Sequence, residues 1–259
     1  MSNKVIEWNG GVQQEAVNVL KNEGGLIVSP TKVGYIIMTS DGKGLERKFD
    51  AKNRKRNKPG VVLCGSMEQL GMLAEMNDEI YDFYQKNWDA DVLLGCILPW
   101  KRSGAALLPN DGSKDLMMDA RGTSCFVIKF GTPSENTAKE LWEKHGKFCF
   151  ASSANPSGQG NRGLVEGIGE RIHDHADLIV SSNSYVKSIQ PNEEKSVRYE
   201  QGVMISMVDA QGKLIPLQKG ERLVSPAPAL IRKGLDFDKI MSILADSFNS
   251  WDYRQGDYY

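Results

Sequence analysis

Phe148-Cys149-Phe150-Ala151-Ser152-Ser153-Ala154-Asn155-Pro156-Ser157-Gly158 passes from four apolar residues straight into hydroxyls, an amide, a proline and a glycine. The first four read as a buried strand, and the rest as the loop that the strand delivers. Upstream, Cys125-Phe126-Val127-Ile128 reads as another strand. Thr132-Pro133-Ser134-Glu135 then matches a capping box with proline at the first helical position, and Leu141 and Trp142 give that helix an apolar face. Downstream, a helix near Val165 to His173 precedes a strand at Leu178-Ile179-Val180. Such an alternation of strands and helices describes an α/β sheet with sites at its strand ends.

The same alternation extends toward both termini. Val12, Ala16, Val19 and Leu20 form a helical stripe ending at Gly24, a good left-handed cap, and Leu26-Ile27-Val28 reads as a strand stopped by Pro30. A short helix turns Leu45 and Phe49 inward, followed by a strand at Val61-Val62-Leu63. Helices are expected over Met67 to Met76 and Ile80 to Trp88, and Val92 to Leu98 reads as a central strand. Residues 100–122 read as a loop, and 181–201 as polar and irregular. Val203 to Val208 and Ala229 to Arg232 read as late strands. Phe237, Ile240, Met241 and Leu244 fall at helical spacing behind an Asp236 cap, and Trp251 to Tyr259 form an aromatic, polar tail.

With 259 residues, 40% hydrophobic and 25% charged, the chain can bury the core of one large domain, or of one with an appendage. A net charge of −1 excludes a globally basic nucleic-acid binder, so attraction to a polyanion must come from a local patch. No apolar run approaches the roughly 20 residues of a membrane span. The N-terminus is too polar for a secretory signal, and a cytoplasmic protein is expected. Cys64, Cys96, Cys125 and Cys149 lie in apolar stretches without Cys-x-x-Cys spacing and read as reduced and buried. His173-Asp174-His175 has no third ligand placed beside it and reads as a helix end rather than a metal site.

Three segments carry candidate chemistry. Between Lys43 and Lys58 stand eight basic residues against two acidic ones. Lys52, Arg54 and Arg56 are the candidates for phosphate, since arginine offers a planar fork and lysine a compact charge. An RNA backbone would use the same groups, and a solvated helix face would have the same composition. Ser153 and Asn155 can bond a phosphate, a ribose or an amino-acid group, although such a string also serves as an ordinary turn. Thr31 can position a carboxylate or carbonate oxygen and Tyr35 can wall a pocket, while Lys32 adds a further cation there.

Taken together, these segments resemble the YrdC family, the L-threonylcarbamoyl-AMP synthases of tRNA modification. Gly24-Gly25-Leu26-Ile27-Val28-Ser29-Pro30-Thr31 with Tyr35 is similar to the family's strand and Pro-Thr turn. Lys52, Arg54, Arg56 and Pro59 match Lys-x-Arg-x-Arg-x-x-Pro. Ser153 to Gly158 matches Ser-Ala-Asn-x-Ser-Gly without change, and Leu230-Ile231-Arg232-Lys233-Gly234 is similar to the terminal Ile-Leu-Arg-x-Gly. The chain departs from the pattern at Lys32 and Val33, at Trp88 to Leu93, and at Ser206 to Asp209. These losses fall mainly where the family holds its amino acid.

The resemblance implies a YrdC-like domain over residues 10–235, with 236–259 as a C-terminal helix and tail. Its fold would be a twisted mixed sheet with helices on its faces and an open nucleotide cleft. It implies ATP with magnesium, bicarbonate and threonine or a related small amino acid as the reacting set, with tRNA or other RNA as a further partner through the basic run. Lys52, Arg54 and Arg56 would neutralise phosphates. Ser153, Asn155 and Arg232 would hold the nucleotide, and Thr31, Tyr35 and Ser206 the amino acid or carbamate. Two other classes fit the same residues: a non-catalytic nucleotide or RNA binder, and an interaction protein with a vestigial cleft.

Overall fold

The computed structural model describes residues 4–56, 59–156, 158–191 and 198–254. Asn57 and Lys58 of the basic run, Ser157 of the polar loop, part of the 181–201 segment and the end of the tail lie outside the described residues. Strand β1 (Val5–Glu7) leads to helix α1 (Gln14–Lys21), which buries Ala16, Val17 and Leu20. Strand β2 (Leu26–Thr31) does not stop at Pro30. It runs on to Thr31 and returns through Lys32 and Val33 as β3 (Gly34–Thr39), a strand the sequence reading left out. Pro30 pairs with Tyr35 next to the hairpin turn and lies two residues beyond Val28, the last residue of β2 paired with β8, so a position without an N–H is tolerated there.

Asp41 caps α2 (Gly42–Lys52), accepting from the Gly44 N–H at 2.7 Å. There follow β4 (Val61–Leu63), α3 (Met67–Leu73) capped by Ser66, α4 (Asp78–Asp89) capped by Asn77, and β5 (Leu94–Pro99). The segment expected as a loop holds two short helices, α5 (Arg102–Ala105) and α6 (Ser113–Met117). Four or five residues are too few to show a 3.6-residue period. After β6 (Thr123–Ile128), α7 (Thr132–His145) is capped one residue earlier than the capping box predicts. Gly131, at φ +122°, is its N-cap, and its N–H donates to Glu135 Oε1 at 2.7 Å, so only the carboxylate half of the box forms.

Beyond β7 (Phe150–Ser153), the single helix expected near Val165 divides into a 3₁₀ turn (Val165–Gly167) and α8 (Glu170–His175). Gly169, at φ +87°, makes the break. Strand β8 (Leu178–Ser181) is followed by α9 (Asn183–Ile189), in a stretch expected to be irregular. The chain ends in β9 (Val203–Ser206), β10 (Ala229–Arg232), α10 (Phe237–Ser247) and β11 (Asp252–Tyr253). Asp236 does not cap α10 with its side chain; it adopts a left-handed conformation at φ +58°.

One mixed sheet joins these strands in the order β1-β8-β2-β3-β7-β4-β6-β5-β9-β10-β11. Helices α3, α4 and α10 pack on one face, where Phe83, Tyr84, Leu244 and Phe248 meet Phe126 and Phe150. The Tyr84 hydroxyl donates to the Phe126 carbonyl at 2.8 Å and accepts from the Cys96 N–H at 3.1 Å, fixing α4 to the centre of the sheet. On the other face, α1 and α7 lie over the β2 end, with Leu20 and Leu141 buried there. The face carried by β4, β6, β5 and β9 remains open beside them as a cleft. All four cysteines are free and buried. No helix among the described residues is long and apolar enough to cross a membrane.

Candidate functional site

The cleft has a volume of about 730 Å³, and its floor is one face of the sheet. Cross-strand register places Leu63, Val127, Gly95, Met204 and Arg232 in a single row across β4, β6, β5, β9 and β10. A second row contains Ala151, Val61, Cys125, Ile97 and Ser206. Both rows follow from period-2 alternation, which sends every second residue of neighbouring strands to the same side. Arg232 joins the first row through a β-bulge: pairing shifts between Leu230 and Arg232, which brings the arginine opposite Met204 on the cleft side.

The polar wall forms where α2 ends beside β7. Lys52 is buried, and its Nζ donates to the carbonyl oxygens of Ser153 and Asn155, the latter at 3.1 Å, with Ser153 Oγ at 3.4 Å. The cationic turn and the hydroxyl–amide turn are thus bonded together across one edge of the cleft. Burial, reinforced by nearby Arg54, lowers the Lys52 ammonium to about 7. Asn53 ends α2 in a left-handed turn at φ +47°, and Asn53, Arg54 and Lys55 line the cleft directly after it. Ser153 and Asn155 line it as well. Ser152 Oγ and Asn155 Oδ1 are buried behind this wall without a hydrogen-bond partner among the described residues, whereas the Ser153 side chain is exposed at the cleft.

Several expected site residues are placed elsewhere. Arg56 turns outward and bonds Glu46 through Nε at 2.8 Å and through Nη2, with Asp50 at 3.9 Å. The Tyr35 ring lies on the opposite face of β3; its hydroxyl donates to Asn183 Oδ1 at 2.8 Å and accepts from the Ser182 N–H at 2.9 Å. Ser206 shares the cleft's face but sits one row deeper, beyond Ile97, and its hydroxyl donates to the Val208 carbonyl at 3.1 Å. Thr31 does line the cleft, yet its hydroxyl proton goes to the Gly34 carbonyl at 2.7 Å, so it can accept a bond but has no proton to give. Each of these side chains is directed by its pairing partner, which residue type does not reveal.

The basic run is not one exposed stripe. Arg47 pairs with Asp177 at 2.6 Å, Lys43 lies 3.8 Å from Glu23, and Lys48 is buried with Nζ 4.1 Å from the Phe49 ring centre. Lys32 adds no cation to the cleft either: its Nζ meets the Asp91 carboxylate at 2.9 Å, and Lys129 approaches the same group at 3.4 Å. Burial alone would raise the Asp91 carboxyl, but these two lysines hold it below its usual value.

Sequence reasoning missed Asn161, Arg198, Tyr199 and Gln201, which close the cleft's outer side. The Asn161 amide donates to the Tyr35 carbonyl at 2.8 Å, and Arg198 Nη2 donates to Gln201 Oε1 at 3.2 Å. Their segments carry no period and no motif that could have singled them out. No carboxylate appears among the described lining residues, so these residues offer a magnesium ion no carboxylate ligand there.

A family model described as Telomere recombination, for Sua5, YciO and YrdC proteins, matches residues 19–198. The crystal structure of a hypothetical protein, smu.1377c, from Streptococcus mutans UA159 is 61% identical and covers 100% of both chains, with a TM-score of 0.94. E. coli YciO, at 17% identity, covers 91% of this chain and 97% of its own, with a TM-score of 0.61. P. abyssi Sua5 complexed with L-threonine, at 20% identity, covers 89% of this chain but 57% of its own, with a TM-score of 0.58. At such identities the last two show a shared fold. No curated protein matches the chain.

Proposed function

This chain belongs to the Sua5/YciO/YrdC family, and from that premise we propose that it forms a carbamoyl-adenylate from ATP, bicarbonate and an amino acid, in the cytoplasm, for tRNA modification. Threonine, the ligand of the P. abyssi protein, is the reference acceptor. The observation that carries this reading is the bonding of Lys52 to the Ser153–Asn155 turn, which sets the cationic turn and the polar loop in one wall.

The amino group adds to bicarbonate with loss of water, giving a carbamate. A carbamate oxygen then attacks the α-phosphorus of ATP, and the bond to the β-phosphate oxygen breaks to release pyrophosphate. Arg54 and Lys55 face the cleft where the triphosphate would lie and offset its charge. Lys52 fixes the loop, and it becomes a third cation when phosphate oxygens favour its protonated form. The exposed Ser153 hydroxyl is suited to a group of the ribose or base. Arg232, aimed by its bulge, stands at the far end of the floor for a carboxylate or phosphate. Any magnesium would arrive as the counter-ion of the triphosphate. The chemistry is mostly positioning and charge stabilisation.

The test is to incubate purified protein with ATP, bicarbonate and single amino acids, following pyrophosphate release and the adenylate by mass. Arg54→Ala should lower release by roughly 100-fold or more, whereas Arg56→Ala, altering a group outside the cleft, should leave it unchanged. Saturable ATP binding without adenylate from any amino acid would make the protein a nucleotide binder instead.

A further inference from the structure

We propose that the acid taken by this site bears an apolar side chain, seated on the sheet floor over Gly95, rather than the hydroxyl side chain of threonine. This inference rests on the adenylate reading and names its acceptor class.

The two ends of the cleft differ in chemistry. Lys52, Arg54, Lys55 and the Ser153 hydroxyl gather at the α2–β7 wall, and Arg232 stands at the other end of the floor. A triphosphate and its sugar need those groups, so the nucleotide occupies that end. The remaining floor is Leu63, Val127, Gly95 and Met204, flanked by Leu93 and Phe130. None of these six side chains can accept or donate a conventional hydrogen bond.

Gly95 leaves the middle of the row without a side chain of its own. A Cβ there would come within 2.8 Å of Cys125 Sγ and 3.3 Å of a Val127 methyl, so these two side chains lean over the glycine and form the floor at this point. The row ends at Arg232, whose Nε donates to the Gly202 carbonyl at 2.8 Å and which lines the cleft. An amino acid held by its carboxylate at Arg232 therefore lays its side chain along apolar atoms. The hydroxyl nearest in kind, Thr31, has already committed its proton to Gly34. A threonine hydroxyl on this floor gives up its water for at most the remaining lone pair of Thr31 Oγ1, whereas an aliphatic side chain gains contact area.

The experiment is titration calorimetry of L-leucine, L-isoleucine, L-valine and L-methionine against L-threonine and L-serine, with a non-hydrolysable ATP analogue present. The aliphatic acids should bind roughly tenfold tighter or more than threonine. Val127→Thr, close in shape to the original residue, supplies a hydroxyl on the floor and should narrow that gap. Threonine binding as tightly as leucine, or no binding by any aliphatic acid, would overturn the inference. Pyrophosphate release separates the two layers. Release with threonine alone keeps the adenylate reading and overturns this one. Tight leucine binding with no release for any acid keeps this inference and removes the adenylate reading.

Discussion

At the scale of single residues, Lys52 shows how burial can make a cation conditional. An exposed lysine titrates near 10.4, but here desolvation brings the ammonium down to about 7, and Lys48, one helical turn earlier and also buried, is lowered to about 7 for the same reason. At pH 8 Lys52 is therefore mostly neutral in the free protein. Phosphate oxygens favour its charged form, so ATP binding at pH 8 should take up a proton. Affinity should fall as pH rises above 7, by up to about tenfold per pH unit for each proton gained. Calorimetry in buffers of different ionisation enthalpy measures that proton directly; uptake of none would show that Lys52 does not respond to the phosphates. That Lys52, Arg54, Ser153 and Asn155 line one cleft was legible from the sequence, because rare polar combinations stand out in a string. The direction in which Arg56, Tyr35 and Ser206 point was not. It depends on Glu46, on Asn183 and on a strand register, none of which residue type encodes.

At the scale of elements, the long periodic segments could be read and the short ones could not. α1, α4, α7 and α10 each carry an apolar stripe, and β4 and β6 are β-branched or aromatic runs. By contrast, β3 was hidden because Pro30 looked like a strand end, and α5, α6 and α9 span too few residues for a period to emerge. α10 tests whether the last part of the chain belongs to the core. Ile240, Leu244 and Phe248 are buried with α4, where the Phe83 and Phe248 rings stand 5.7 Å apart edge to face. Leu244→Ala leaves a cavity under that contact and should cost about 2–5 kcal/mol in urea unfolding. A change below about 0.5 kcal/mol, the scale of an exposed substitution, would mean that the helix is not packed as described. ATP affinity should not change, because α10 lies on the sheet face opposite the cleft.

At the scale of the whole molecule, the site exists because strand order departs from chain order. β7 inserts between β3 and β4, and this brings the Ser153–Asn155 turn beside the end of α2, about a hundred residues earlier in the chain. β9 and β10 extend the same floor from still later sequence, and the bulge at the end of β10 delivers Arg232 to it. Local pattern carries no information on such pairings; only the resemblance of separated motifs anticipated that the segments would converge. The apolar row beneath them reads from sequence only as strands, since a strand residue facing a cleft and one facing a helix obey the same alternation.

The central claim is that the cationic turn and the hydroxyl–amide turn hold one nucleotide between them. A crystal structure with a non-hydrolysable ATP analogue tests it most directly. The account predicts phosphates against Arg54 and Lys55, with a ribose or base group within hydrogen-bond reach of Ser153 Oγ. A nucleotide bound elsewhere, or an empty cleft at saturating analogue, would contradict it.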